Sequence, residues 1–184
     1  MDVEHRFRLD GKTALVTGAS YGLGALFAAV LADAGADVVL TARSLDKLRD
    51  TAAAVEARGR RVVVAAGDIC RFEDCQAVVD HALAEVGRID VLVNNAGWSD
   101  DRLIRTEHVE PEIFQQMVMT DLVGLFFMTR AAAPAMLAAG GGGRQHHQPV
   151  VHLRDGGLGE PDGGLLRGQG RGEQPHQAAG VRVG

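Results

Sequence analysis

A chain of 184 residues with 46% apolar and 23% charged residues has the balance of one globular domain, or one domain with an appendage. Its formal net charge of −5 supplies no basic field for nucleic acid. No uninterrupted apolar run reaches the roughly 18 residues of a membrane-span candidate, and Met1–Gly11 is too charged for a signal peptide.

Elements alternate along the body. Thr13–Thr17 is a short β-favouring run. Gly22–Ala34 carries Leu23, Phe27, Val30, Leu31 and Ala34 at helical spacing, with Gly35 as its stop. Asp37–Thr41 reads as a second strand, continuous in apolar character as a parallel sheet requires. Ser44 is placed to cap a helix over Leu45–Ala57, closed by Gly59. Arg61–Ala65 is strand three, Phe72–Val86 a third helix and Ile89–Asn94 strand four. Pro111 opens a long helical region reaching Ala139, expected in two pieces. Short connections between alternating strands and helices imply right-handed crossovers and an α/β, doubly wound parallel sheet.

Cys70 and Cys75 are the only cysteines, separated by four residues. A disulfide framework and a four-thiolate zinc site are thereby excluded, and reduced thiols point to a cytoplasmic protein.

The richest motif is Thr17-Gly18-Ala19-Ser20-Tyr21-Gly22-Leu23-Gly24, where strand one gives way to the first helix. Glycine there permits a sharp turn and a close approach by a ligand. Free N–H groups and the positive end of the helix dipole favour a pyrophosphate. A tight turn with close helix packing would use the same glycines. Three residues separate Gly18 from Gly22, where the standard dinucleotide fingerprint has one. Gly11-Lys12-Thr13 resembles the end of a P-loop, but a strand follows it instead of preceding it.

Three further positions lie at the carboxyl ends of strands. Asn94-Asn95-Ala96-Gly97 ends strand four with small residues suited to the crevice of an open α/β sheet. Arg43 follows strand two, where a cation favours a ribose 2′-phosphate and an acid a free hydroxyl; an ordinary surface arginine is the plainer reading. Asp68 follows strand three and can accept from an adenine amino group, or simply cap its own turn.

These residues resemble the short-chain dehydrogenase/reductase family. TGASYGLG after strand one, GDI at Gly67–Ile69 and NNAG at Asn94–Gly97 stand at that family's intervals, and the match runs from about Leu9 to Gly143. The resemblance implies a Rossmann-type fold, an NAD(P) cofactor and hydride transfer between nicotinamide and a carbonyl or alcohol. It also implies diphosphate contacts at Gly18, Ser20, Gly22, Leu23 and Gly24, an adenine contact at Asp68, and cofactor contacts along Asn95, Ala96 and Gly97, with Tyr21 and Ile69 as further cofactor-binding residues. An arginine like Arg43 goes with NADP(H) in the family, so NADP(H) is the expected cofactor and NAD(H) the second choice. Oligomers through helices near Pro111–Ala139 are common in the family; a homo-oligomer is expected of a full-length product and not of this chain.

The sequence departs from the family pattern in two places. Asp121, in Met119–Gly124, occupies the place of the family's catalytic asparagine, and a carboxylate cannot donate as an amide does. The Tyr-x-x-x-Lys pair and its preceding serine are missing. Carbonyl reduction needs a proton donor near the forming alkoxide, yet the sole tyrosine is Tyr21, the lysines are Lys12 and Lys47, and no serine follows Ser99. No catalytic residue is therefore assigned.

The last segment has a different composition. Arg144–Gly184 contains no Lys, Ser, Thr, Ile, Asn, Phe, Tyr or Trp, yet holds ten Gly, five Arg, five Gln, four His and three Pro. A GC-rich gene read out of register produces such a text. Taking the last two bases of each codon with the first of the next, Arg144–Gln148 can conceal Gly-Ser-Ile-Ile-Asn, and Val150–His152 permits Ser-Ser. Leu165–Leu166 permits Tyr, and Gln169–Gly170 permits Lys four codons later. Residues 1–143 are thus expected to be the NAD(P)-binding Rossmann portion, and 144–184 an out-of-frame tail after a one-base slip near Gly140–Gly143.

Within that tail His146, His147 and His152 lack a partner at ligand spacing, so no metal site is expected. Five Arg against four acids, with no interleaved aromatic, does not make an RNA-binding segment. Val150–Leu153 is apolar and β-branched enough to pair as a surrogate fifth strand, and the rest is expected to be disordered. Trp98 is a candidate for a substrate site; Phe126, Phe127, Met128 and Met136 are expected in the core. For this chain the enzyme reading competes with a non-catalytic nucleotide-binding remnant and with a regulatory Rossmann module.

Overall fold

The computed structural model describes residues 7–99, 105–139 and 150–152. Strands β1 (Thr13–Thr17), β2 (Asp37–Ala42), β3 (Val62–Ala66), β4 (Val91–Asn94) and β5 (Val150–His152) form one parallel sheet in the order β3-β2-β1-β4-β5. The chain winds outward from β1 to β3, returns to pair β4 on the other side of β1, and so creates a switch point between β1 and β4. The surrogate strand pairs as its apolar, β-branched character allows, Leu92 beside Val150 and Asn94 beside His152.

Helices α1 (Gly22–Asp33) and α2 (Arg49–Glu56) cover one face, while α3 (Phe72–Val86) and α5 (Leu125–Ala139) cover the other. All five residues of β1 are buried as a result. Ala14 and Val16 point into the α1/α2 core with Ala28, Val38, Leu40 and Val55. Leu15 points the other way, toward Val39, Leu92, Val78, Val79 and Met128. Each of the larger fully buried side chains contributes on the order of 2 kcal/mol.

The helices end where local chemistry stops them. Gly35, at φ +102, turns the chain after α1, and Gly87, at φ +74, takes the left-handed position after α3. Ser44 makes no cap. The chain instead enters a 3₁₀ turn, Asp46–Leu48, before α2, and neither start has a side-chain cap bond. Leu48 is fully buried and sets that geometry by packing.

The region after Pro111 is one continuous helix and not two pieces. Helix α4 (Pro111–Val118) runs through a π-helical segment, Met119–Gly124, directly into α5. A wide turn absorbs the change of direction that a break would otherwise supply. This helix is 29 residues long and contains an 18-residue window with a mean hydropathy of 1.6, so it is long and apolar enough to cross a membrane by length and composition. An uninterrupted apolar run does not reveal it, because charged residues such as Arg130 break the run without lowering a window's mean enough. In the fold, Met128, Ala131, Ala132 and Met136 of this helix are buried in the core shared with α3 and the sheet.

Phe127 packs edge-on against Phe72 with centroids 5.8 Å apart. Phe126, expected in the core, is instead exposed, as are Phe114, Leu122 and Leu137 on the same helix. The pitch of the π segment and α5 turns Phe126 away from α3 while Met128 and Met136 face it.

Opposite the carboxyl ends of the strands, Asp90 joins three segments. Its carboxylate accepts from the Thr13 N–H at 3.0 Å, Lys12 Nζ at 3.1 Å and Arg88 Nε at 2.7 Å. Burial pushes this carboxyl up, but the hydrogen bonds from Arg88, Thr13 and Lys12 outweigh it and hold the group below its ordinary value.

A cleft at the switch point of the sheet

Thr17 ends β1 and ties it to the loop after β4. Its Oγ1 accepts from the backbone N–H groups of Asn95 and Ala96, both at 3.0 Å. Asn95 Nδ2 returns the connection, donating to Thr17 O at 3.0 Å and Gly18 O at 3.2 Å. Gly18 sits at φ +64, and a Cβ there would fall 2.7 Å from the Ala96 Cα. A Cβ on Gly24 would collide with the Gly18 carbonyl oxygen. Tight turning and close packing thus account for these two glycines in full.

Packing does not account for what surrounds them. A cleft of about 250 Å³ opens at the carboxyl ends of β1, β2 and β4. The glycine loop contributes Gly18, Ser20 and Tyr21, and the end of β2 contributes Thr41, Arg43, Ser44 and Lys47. Asp68, Ile69 and Cys70 come from the loop after β3, and Asn95, Ala96, Gly97 and Trp98 from the loop after β4. Gly22, Leu23 and Gly24, in the first turn of α1, are outside the cleft lining. Gly22 is exposed at φ +59 and Gly24 is buried.

The polar groups of the cleft suit an anionic, hydrogen-bonding occupant. No side chain caps α1, whose N-cap residue Tyr21 is extended, so the N–H groups of its first turn stay available. Asn95 Oδ1 and Thr41 Oγ1 are buried without a hydrogen-bond partner among the described residues. Arg43 and Lys47 have neither a hydrogen bond nor an ion pair there. An orphaned acceptor, together with the donors of an uncapped helix start and two uncommitted cations, forms a polar set that fits a dinucleotide.

Asp68 lines the cleft, and its Oδ1 accepts from the Cys70 N–H at 3.0 Å, an Asx turn that holds the loop. Ile69 is buried, and a Cβ on Gly124 would fall 2.9 Å from its side chain. The loop after β3 therefore rests directly on the π-helical segment.

That segment also carries Thr120 and Asp121. Thr120 Oγ1 donates to Gln116 O at 3.0 Å and lies 3.6 Å from Cys70 Sγ. Asp121 is outside the cleft lining but holds its rim: the Trp98 N–H donates to Asp121 Oδ1 at 2.8 Å. An asparagine side chain could accept the same bond, without the charge. Trp98 itself lines the cleft.

Nothing around either cysteine favours its thiolate form on balance. Burial pushes the Cys70 thiol up despite its hydrogen bond to Thr120, and burial first, then Asp74, pushes Cys75 up to about 12. No group of three metal-ligating side chains occurs among the described residues. His146 and His147, and the expected disorder of the tail, lie outside the described residues. Sequence reasoning missed Thr17 as a clamp and Ser44, Lys47, Thr120 and Gln116 as cleft residues. Only Lys47 left a signal, a second cation four positions after Arg43.

The family model for short chain dehydrogenases matches residues 12–144. A 2-dehydro-3-deoxy-D-gluconate 5-dehydrogenase of Escherichia coli K12 is 38% identical over 130 residues, covering 69% of this chain and 49% of the relative. A metagenomic short-chain oxidoreductase solved in complex with NADP superposes with a TM-score of 0.65 at 39% identity, over 71% of this chain and 59% of that one. Carveol dehydrogenase from Mycobacterium avium, solved in complex with NAD, gives 0.69 at 30% identity, over 74% and 53%. The chain spans about half the length of the curated relatives it matches. With that family model matching well over half of its residues, the chain belongs to the short chain dehydrogenase family.

Proposed function

We propose that the cleft at the switch point binds NADP(H) in preference to NAD(H). The complete gene product is then an oxidoreductase acting on a small carbonyl or alcohol. The observation that carries this is the convergence of Gly18, Ser20, Tyr21, Arg43, Asp68, Ile69 and Asn95–Gly97 on one cleft. In this reading the first-turn N–H groups of α1, from Gly22, Leu23 and Gly24, and the Ser20 hydroxyl hold the diphosphate. Arg43 faces the 2′-phosphate, and Asp68 and Ile69 bound the adenine. Asn95, Ala96 and Gly97 flank the path toward the reacting end, where Trp98 shields it from water. Nicotinamide, when bound, supplies or accepts the hydride. The chain itself contains no Tyr-x-x-x-Lys to exchange a proton with the substrate oxygen.

The present 184 residues are accordingly read as a nucleotide-binding remnant without turnover, and a regulatory Rossmann module as a weaker alternative. The missing pair is proposed to lie in the neighbouring reading frame of Arg144–Gly184, on the strength of that segment's composition and the ordered Ser, Tyr and Lys triplets it permits. Residues 1–143 are the nucleotide-binding portion and 144–184 the out-of-frame tail. A cytoplasmic setting, a homo-oligomeric full-length product, and no nucleic-acid or membrane partner belong to the same proposal. Free Cys70 and Cys75 and the net charge of −5 support it.

The test is the intact mass of the native protein with peptide mapping. A larger species with peptides reading Tyr-x-x-x-Lys, oxidising NADPH with a carbonyl, supports the enzyme and the slip together. A species of 19.4 kDa that carries the Arg144–Gly184 tail and binds NADPH without turnover supports the remnant.

A further inference from the structure

We propose that Lys47 is a second cationic ligand, beside Arg43, for the nucleotide's ribose 2′-phosphate. Selectivity is then shared by the 3₁₀ turn Asp46–Leu48 and not vested in Arg43 alone. This rests on the NADP(H) reading of the cleft. The starting observation is that Lys47 and Ser44 line the same cleft as Arg43. Asp46, the acid next to Lys47, is committed to Arg49 at 2.7 Å. Lys47 itself has no hydrogen bond or ion pair among the described residues.

The turn that presents Lys47 is held firmly. Leu48 is fully buried in the α1/α2 core, and its N–H donates to Leu45 O at 3.0 Å. Three residues on, Thr51 Oγ1 donates to Ala19 O at 2.8 Å, fastening α2 to the glycine loop beside Ser20. Ser20 and Lys47 thus approach one cleft from two segments joined by a buried hydrogen bond. Lys47 is exposed, but the backbone that carries it is anchored on both sides.

Charge favours the same assignment. A phosphate monoester carries nearly two negative charges at neutral pH. One guanidinium grips two of its oxygens in a planar fork, while an ammonium acts as a point charge that can meet a third. Arg43 alone would leave part of that charge uncompensated. The carboxylate in the cleft lining is Asp68, which already accepts from the Cys70 N–H.

The experiment is calorimetric titration of the full 184-residue chain with adenosine 2′,5′-bisphosphate and with adenosine 5′-monophosphate. Lys47→Met is expected to weaken the bisphosphate roughly tenfold while the monophosphate changes by less than about twofold. Lys47→Arg is expected to retain the preference, which a merely structural role would not require. If Lys47→Met keeps the whole preference while Arg43→Ala removes it, the second-cation proposal is overturned and the NADP(H) reading survives. If the unaltered chain binds both ligands equally, or neither, both fall.

Discussion

Gly18 and Ala96 pass so closely that a Cβ on Gly18 would fall 2.7 Å from the Ala96 Cα. The loops after β1 and β4 meet at a spacing only glycine permits, and Gly18 also holds φ +64. Gly18→Ala is therefore strained twice, by contact and by backbone conformation. It is expected to cost about 2–3 kcal/mol in urea denaturation and to abolish detectable nucleotide binding. Unchanged stability in Gly18→Ala would mean the two loops are not held at this distance.

Thr17 supplies the polar counterpart of that contact. Replacing its hydroxyl in Thr17→Val leaves the Asn95 and Ala96 N–H groups without their acceptor, at nearly constant side-chain volume. A loss of about 3 kcal/mol is expected. Thermal unfolding of the variant checks it, and a loss comparable to that of an exposed Thr→Val control would contradict the clamp.

Asp121 separates acceptor from donor. Asp121→Asn preserves the bond from the Trp98 N–H and is expected to leave stability within about 0.5 kcal/mol. Asp121→Ala removes it and is expected to cost about 1 kcal/mol and to shift Trp98 emission. Equal effects from both substitutions would show that the hydrogen bond does not hold the rim of the cleft.

Asp90 makes the fold sensitive to acid. Its folded-state carboxyl lies below the ordinary value, with burial opposing and the Arg88, Thr13 and Lys12 bonds prevailing. The stability it adds is fully present above the unfolded carboxylate range and lost as pH falls through the folded value. Melting temperature should therefore decline below about pH 4 in the unaltered chain. Asp90→Asn should melt lower at neutral pH and show a shallower acid decline. Parallel acid limbs would remove Asp90 from that role.

Much of the scaffold is legible from local pattern. β1 and α3 match their expected bounds, because an apolar run after a polar start and a long amphipathic segment closed by Gly87 carry unambiguous periods. The glycine loop, Arg43, Asp68 and Asn95–Gly97 were readable because residue types with specific backbone or charge properties stand at strand ends. The clamp of Thr17 was not readable, since a threonine ending a strand looks like any β-branched residue until its partners 78 and 79 positions away are in place. Ser44 looked like a cap, but burial of Leu48 overrode that local preference. The π-helical join at Met119–Gly124 also depends on tertiary packing, with Gly124 seated on Ile69 and Thr120 beside Cys70.

Trp98 is the sole tryptophan of the chain and lines the cleft, so its emission reports occupancy directly. The decisive measurement is a titration of the 184-residue chain with NADPH, following Trp98 fluorescence, with NADH in parallel. Saturable quenching is expected, at lower concentrations for NADPH than for NADH, and lost in Gly18→Ala. Emission that does not change with either nucleotide in a folded sample would contradict nucleotide binding at this cleft.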